Sequence, residues 1–154
     1  MAKELNYTQK TLRENRLRGR ICGIVEKWNQ YVGPHGARID LFGFIDIIAL
    51  DPDTGIVAVQ STGPSGHSTH KKKLLENDNA LEWLKCNGTI ELWSWRKLLV
   101  NRGGKQKRWY PRIEEITLDM FGRIDATTPL ITPQQAQEQK TKKGQRNEHK
   151  GKNH

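Results

Sequence analysis

The sequence predicts an α/β domain built on a single mixed β-sheet that is flanked by helices. Short runs rich in β-branched residues alternate with segments of good helix formers. The two most apolar runs are almost continuously hydrophobic, which is typical of strands covered on both faces. A chain of 154 residues has room for one domain with a modest core. We expect this domain at residues 1–126, with its core at about residues 8–116, and a polar tail at 127–154.

The N-terminal half is predicted to contain one helix and three strands. Residues 8–18 are good helix formers without Pro or Gly, and the threonine at the start is a suitable N-cap. Residues 21–28 are β-prone and predict a first strand, with a continued helix as the alternative. Residues 44–50 and 56–61 predict a hairpin, because an Asp-Pro-Asp-Thr-Gly turn separates them.

The C-terminal half is predicted to contain two helices and a second hairpin. One helix covers residues 68–76, and another begins near Asn79, which has capping-box spacing to Glu82. Asn87-Gly88 ends the second helix with residue types that tolerate a left-handed conformation. Residues 90–98 and 107–116 follow as strands joined across Gly103-Gly104. Beyond about residue 127 the chain has little to bury, and we expect it to be disordered.

The charge of the chain favours a polyanionic partner. The net charge is +9, of which residues 134–154 carry +4, so the predicted domain keeps a clear positive surplus. Such a surplus attracts nucleic acid without sequence specificity. No segment approaches the roughly 18 apolar residues needed to cross a bilayer. The N-terminal residues lack an apolar signal region and the two cysteines form no CxxC pair, so we expect a cytoplasmic protein.

Asp46 is the most informative residue, because it interrupts an apolar strand segment. A buried carboxylate costs several kcal/mol unless a cation, a metal or hydrogen bonds compensate it. Backbone amides or a nearby Arg are the simpler explanation for a single such residue. On the next strand, Gln60 and Thr62 are two residues apart and therefore share a face. An Asp beside these polar side chains forms a set of oxygen ligands suited to Mg²⁺. The alternative is that Gln60 and Thr62 mark the point where the strand reaches solvent.

Residues 38–46 (RIDLFGFID) and 57–62 (VAVQST) resemble the PD-(D/E)XK nuclease superfamily. More closely, they resemble small phage and prophage nuclease-like proteins that are distantly related to archaeal Holliday-junction resolvases. The resemblance spans roughly residues 8–116 and implies a restriction-endonuclease-like αβββαβ core, here with a C-terminal β-hairpin. It also implies an intracellular protein of a phage or its bacterial host, and a homodimer, since two symmetric sites are needed to cut both strands together.

In this superfamily an Asp opens the second strand and an acid-x-Lys motif ends the third. Asp46 matches the Asp, Gln60 stands in the place of the acid, and Thr62 occupies the position of the lysine. Gln60 can offer an oxygen but no negative charge, and Thr62 cannot act as a cation. We therefore expect Lys73, on the following helix, to supply the positive charge, and Glu26 or Asp40 to supply a further carboxylate.

Several basic residues are candidates for binding nucleic acid. They are Arg38, whose guanidinium matches phosphate, the helical residues His70, Lys71 and Lys72, and Arg96. Arg38 could equally neutralise Asp40 or Asp46, and residues 71–73 could equally form a solvated basic face. The tryptophans 93, 95 and 109 lie near cations and could stack on bases, although core packing is the better interpretation for at least one of them.

The implied function is hydrolysis of DNA phosphodiester bonds by a Mg²⁺- or Mn²⁺-dependent endonuclease, with structure selectivity as in the resolvases. The departures at Gln60 and Thr62 favour an alternative, a nuclease fold that has lost cleavage and binds DNA as an accessory module. A third class, an RNA-binding or purely interacting protein, stays open because the charge does not distinguish nucleic acids.

Overall fold

The computed structural model describes residues 3–122, and the predicted tail at 127–154 lies outside this range. In the described part the helices are α1 (Tyr7–Leu17), α2 (His67–Glu76) and α3 (Asp78–Lys85). The strands are β1 (Ile21–Ile24), β2 (Lys27–Asn29), β3 (Ala37–Ile39), β4 (Ile47–Asp51), β5 (Gly55–Thr62), β6 (Thr89–Leu99) and β7 (Lys107–Ile116). A 3₁₀ turn at Leu118–Met120 follows. None of the helices in this range is long and apolar enough to span a membrane.

Five strands form one mixed sheet in the order β1-β4-β5-β6-β7. All neighbours are antiparallel except β5 and β6, which are parallel. Helices α2 and α3 connect these two strands, because parallel neighbours need a long crossover. The predicted α/β class with a single mixed sheet and flanking helices is therefore confirmed. Strands β2 and β3 form a separate two-stranded ladder.

Helices cover both faces of the sheet, as the apolar strands predicted. On one side, which we call the α1 face, Val57, Val59 and Trp93 pack with Tyr7 and Leu12 of α1. On the other side, the α2 face, Ala58 and Leu92 pack with side chains of α2 and α3, namely Leu74, Ala80 and Leu84. The side chains of Trp93 and Trp95 are almost fully buried, so core packing is the correct interpretation for these two.

Two strand boundaries differ from the sequence prediction by more than one residue, and both differences position the site described below. The predicted strand 21–28 divides after Ile24, because the chain leaves the sheet and continues into the β2–β3 ladder. Strand β4 begins at Ile47 rather than at residue 44, because the preceding residues form a closed turn. Two helix caps also differ: Asn6, not Thr8, caps α1, and Asn77, not Asn79, accepts the free backbone amides at the start of α3.

Candidate functional site

Three carboxylates converge beside the sheet. Glu26, Asp40 and Asp46 bring one oxygen each within 4.8 Å of one another. Glu26 lies between β1 and β2, Asp40 follows β3, and Asp46 immediately precedes β4. Asp46 is 5% exposed, whereas the other two residues are partly buried. We call this group the acidic cluster.

A closed turn places Asp40 beside Asp46. The backbone groups of Leu41 and Ile45 exchange two hydrogen bonds of 3.0 Å, so the residues that flank them are held next to each other. The turn requires a left-handed backbone at Phe42, with φ 56°, and at the glycine that follows it. Glycine adopts this conformation freely, but a residue with a Cβ pays roughly 1 kcal/mol or more. The backbone is therefore strained at Phe42, in the turn that connects Asp40 and Asp46.

The β2–β3 ladder brings Glu26 to the same place. Lys27 pairs with Ile39, so one step further along the ladder Glu26 lies beside Asp40. The side chain of Glu26 is 9% exposed, and its Oε1 accepts a hydrogen bond of 2.6 Å from Nη1 of Arg38. Arg38 is therefore paired with Glu26. From the sequence alone, Asp40 and Asp46 were the candidate partners of Arg38.

Two hydrogen bonds attach Asp46 to the neighbouring strand β5. The backbone amide of Asp46 donates to the carbonyl of Val59 over 3.1 Å, and Oδ2 accepts from the backbone amide of Ser61 over 2.8 Å. These bonds bracket Gln60, which lies between the two partners in the chain. The structure therefore brings Asp46 and Gln60 together. It also contains the backbone-amide bond that was the simpler explanation for a buried Asp.

The environment of Asp46 disfavours its charged form. Burial, followed by a hydrogen bond with the Asp40 carboxyl, raises the pKa of Asp46 from 3.8 to about 8, and the charges of Asp40 and Glu26 act in the same direction. The Ser61 amide opposes this shift. Without a cation, the cluster therefore retains a proton at neutral pH. A bound divalent cation would replace that proton, because its charge compensates all three carboxylates.

Gln60 adds a neutral oxygen next to the cluster. Its side chain is 6% exposed, and no protein donor within residues 3–122 reaches its Oε1. A buried acceptor without a partner is uncommon and costs about 1–3 kcal/mol. Three carboxylates and an unpartnered amide oxygen are the hard donors that Mg²⁺ and Mn²⁺ prefer. The residues present therefore fit such an ion.

Thr62 and His70 lie next to each other at the start of α2. A Cβ built on Gly66 would meet Oγ1 of Thr62 at 2.0 Å and Cδ2 of His70 at 3.2 Å, so only glycine lets the helix approach this closely. Burial and then the charge of Lys73 lower the pKa of His70, while Asp40 opposes them. Nδ1 of His70 is buried and has no partner among the described residues. A neutral imidazole thus lies beside Thr62, and the exposed cation Lys73 is close enough for its charge to act on that imidazole.

A second polar group, which the sequence did not reveal, anchors α2 to the sheet. Nε2 of His67 lies 2.5 Å from Oε2 of Glu114, and its Nδ1 contacts Oγ of Ser94. Lys71 donates to the other oxygen of Glu114 over 2.6 Å. This arrangement contains Ser, His and an acid, but Ser94 is only 4% exposed. Its hydroxyl is therefore a structural partner and not an accessible nucleophile.

The remaining predicted residues fall into two groups. Lys71 is tied to Glu114, so its charge is compensated, whereas Lys72 and Lys73 are exposed on α2. Arg96 is exposed on β6.

A surface cleft of about 280 Å³ gives solvent access beside Glu26. The cleft is lined by Asn6, Thr8, Gln9, Ile24, Glu26, Trp28 and Arg38.

Comparison with known proteins does not add to this description. The chain matches no protein-family model, no curated protein and no solved structure. The function must therefore be inferred from the geometry and chemistry of the site itself.

Proposed function

We propose that the protein is a DNA endonuclease that hydrolyses phosphodiester bonds with Mg²⁺ or Mn²⁺ bound at the acidic cluster. The observation that carries this proposal is the convergence of Glu26, Asp40 and Asp46 within 4.8 Å beside a buried, unpartnered Gln60 oxygen. An acidic cluster of this kind would repel a phosphodiester unless a cation lay between them. A divalent ion supplies that charge, polarises the phosphate and lowers the pKa of a bound water.

Each side chain has a definable task in this proposal. Asp46, Asp40 and Glu26 would hold the ion through carboxylate oxygens, and Gln60 would complete the set with its amide oxygen. The Ser61 amide fixes the orientation of Asp46. The proton that Asp46 holds would be lost to solvent on cation binding, because the raised pKa of Asp46 reflects its burial and the nearby carboxyls of Asp40 and Glu26, and a cation would offset both effects.

Thr62 stands where the resembled superfamily has a lysine. The positive charge that this lysine would provide therefore has to come from α2. Lys73 is exposed, and its charge acts on His70 beside Thr62. It is therefore the cation on α2 that we assign to the developing negative charge of the reaction. Lys72 is also exposed, but its charge is not among those that shift the pKa of His70. We therefore assign Lys72 only a contribution to the general attraction of the DNA backbone.

A second candidate function is DNA binding without cleavage. Gln60 and Thr62 stand at the two positions where the resembled superfamily has an acid and a lysine, and this substitution favours the alternative. Under this hypothesis the buried acids would be structural and the basic surface alone would bind DNA. The two functions differ in their requirement for a metal and for Asp46.

The test is a cleavage assay with purified protein on plasmid, single-stranded and branched DNA, in Mg²⁺, Mn²⁺ or EDTA. We expect metal-dependent cutting that Asp46→Asn abolishes, while a matched surface variant, Asp53→Asn, cuts normally. Salt-sensitive binding that is indifferent to Asp46→Asn, with no cutting in either metal, would replace this proposal with the second candidate.

A further inference from the structure

The β6–β7 hairpin extends past the rest of the sheet as a two-stranded arm. The pairing of β5 with β6 ends at Thr62 and Ser94, whereas β6 and β7 continue to pair from Arg96–Tyr110 through to Leu99–Lys107. Residues 96–99 are all exposed. We call residues 96–112 the arm.

The arm has an unusually uniform charge. It contains no Asp or Glu, and its seven cations are Arg96, Lys97, Arg102, Lys105, Lys107, Arg108 and Arg112. Within the described part of the chain, none of these seven takes part in an ion pair. A surface of one sign that the protein leaves uncompensated is suited to a polyanion.

The two faces of the arm are different. Ser94 and Glu114 both contact His67 of α2, and side chains alternate along a strand, so Arg96, Arg108 and Arg112 lie on the α2 face. Tyr110, paired with Arg96, lies among them and is 38% exposed. This set is the arginine face.

The opposite face is partly covered by the protein's own N-terminal residues. There Trp109 packs edge-on against Tyr7, and its Nε1 donates to Glu4. Lys97 lies over the Trp109 ring at 5.6 Å, and Lys107 shares this side. The side chains of the arginine face therefore make fewer contacts within the protein and are more available to a ligand.

The arm extends from the same end of the sheet as the acidic cluster, because Asp46 is bonded on either side of Gln60, two residues before Thr62. Thr62, Ser94 and Arg112 form one row across β5, β6 and β7. With neighbouring strands about 4.8 Å apart, Arg112 lies roughly 10 Å from Thr62, and Arg108 about 13 Å further along the arm. Ser94 within this row is covered by His67 of α2, so a DNA strand that leaves the cluster would reach the three exposed arginines beyond the covered part of the sheet.

We propose that the arm binds duplex DNA, with its arginine face on the phosphates next to the bond that is cut. A two-stranded ribbon fits the major groove, which is about 12 Å wide, and guanidinium groups pair with phosphate through two hydrogen bonds. The choice of DNA as the polymer rests on the proposed function. The assignment of the binding surface rests on the charge and the faces of the arm.

The test compares two double variants that remove equal charge from opposite faces: Arg96→Gln with Arg108→Gln, and Lys97→Gln with Lys107→Gln. Binding of a short labelled duplex is measured by fluorescence anisotropy in EDTA over a series of salt concentrations. For the arginine variant we expect a loss of roughly 50-fold at about 0.1 M salt and a log–log salt slope smaller by about 1.8. For the lysine variant we expect a loss of at most about fivefold, from long-range charge alone.

Three results would overturn the assignment: equal losses for the two variants, no loss for the arginine variant, or tighter binding of the wild type to the matched single strand. Thermal melts of both variants establish that they fold. Duplex binding that needs the arginine face, in a protein that cuts no DNA, would support the arm and refute the nuclease. Metal-dependent cutting that is unaffected by Arg96→Gln with Arg108→Gln would support the nuclease and refute the arm.

Discussion

The carboxylate of Asp46 accepts a 2.8 Å hydrogen bond from the backbone amide of Ser61, so the acid that precedes one strand is fixed to the next strand. This bond holds Asp46 beside Gln60 without the help of a ligand. The geometry is achieved at the expense of stability, because three acids lie close together and one of them is buried. Such opposition between folding and function is typical of functional sites, and it has measurable consequences.

The metal-free protein should become less stable as the pH rises from about 4 to about 8. The pKa of Asp46 is raised from 3.8 to about 8 by burial and by Asp40, so in this range the folded chain holds a proton that the unfolded chain releases. The free energy of unfolding then falls with increasing pH, by up to about 1.4 kcal/mol per pH unit. Urea unfolding in EDTA at a series of pH values measures this slope.

Asp46→Asn provides the control for that profile, since an amide does not titrate. We expect the variant to have a flatter profile and to exceed the wild type in stability near pH 8. Parallel profiles for the two proteins would show that Asp46 ionises as an ordinary carboxylate.

Gln60→Leu should separate metal binding from stability. Leucine removes the buried acceptor that lacks a donor, so the metal-free protein should keep its stability or gain about 1 kcal/mol. The affinity for Mn²⁺ should fall by roughly 10-fold or more. Gln60→Glu should have the opposite effect on affinity, because it adds a charge. Calorimetric titration measures both, and wild-type affinity in Gln60→Leu would exclude Gln60 as a ligand.

Lys73 and Lys72 form a matched pair on α2, since both are exposed and they are adjacent in the chain. Of these two lysines, only Lys73 has a charge that shifts the pKa of His70. Lys73→Gln should slow single-turnover cleavage by about 100-fold, the scale of losing one stabilising group in an active site. Lys72→Gln should weaken DNA binding a few-fold and leave the rate at saturation unchanged. Similar rates for the two variants would assign α2 to general attraction alone.

Arg20 should matter for folding and not for the metal. Its guanidinium joins Asp51 at 2.7 Å and Glu91 at 2.6 Å, and its side chain is 14% exposed. Arg20→Ala removes the cation that Asp51 and Glu91 share, so it should lower the free energy of unfolding clearly more than the loss of one exposed pair does. Lys85, in an exposed pair with Glu82, is the control, and Lys85→Ala should cost under about 0.5 kcal/mol. Loss of Mn²⁺ affinity in Arg20→Ala would contradict this separation.

The sequence predicted most of the fold because apolar periodicity and turn residues are local signals. The hairpin around the Asp-Pro-Asp-Thr-Gly turn and the left-handed residue Asn87 both follow from such signals, and both are present. The split after Ile24 was not predicted, because the continuing residues are equally β-prone and only the tertiary partner differs. The cap at Asn77 was missed because two asparagines close together both suit a helix start.

The candidate site was predictable only in part. Asp46 and Gln60 were identified because a polar residue in an apolar strand is visible in the sequence. The contribution of Glu26 depends on the β2–β3 ladder, and that of Asp40 on the closed turn, so neither proximity could be derived from spacing. The group of His67, Ser94 and Glu114 joins residues far apart in the chain, and each of them is unremarkable alone. The role of the site in DNA cleavage stays a prediction.

The most direct test of the central claim is a calorimetric titration of Mn²⁺ into the wild type and into Asp46→Asn near neutral pH, in two buffers with different ionisation enthalpies. We expect one ion to bind the wild type with release of about one proton, and we expect binding to Asp46→Asn to be abolished or nearly so. Equal binding to the two proteins, or no binding to the wild type, would show that the three carboxylates do not form a metal site.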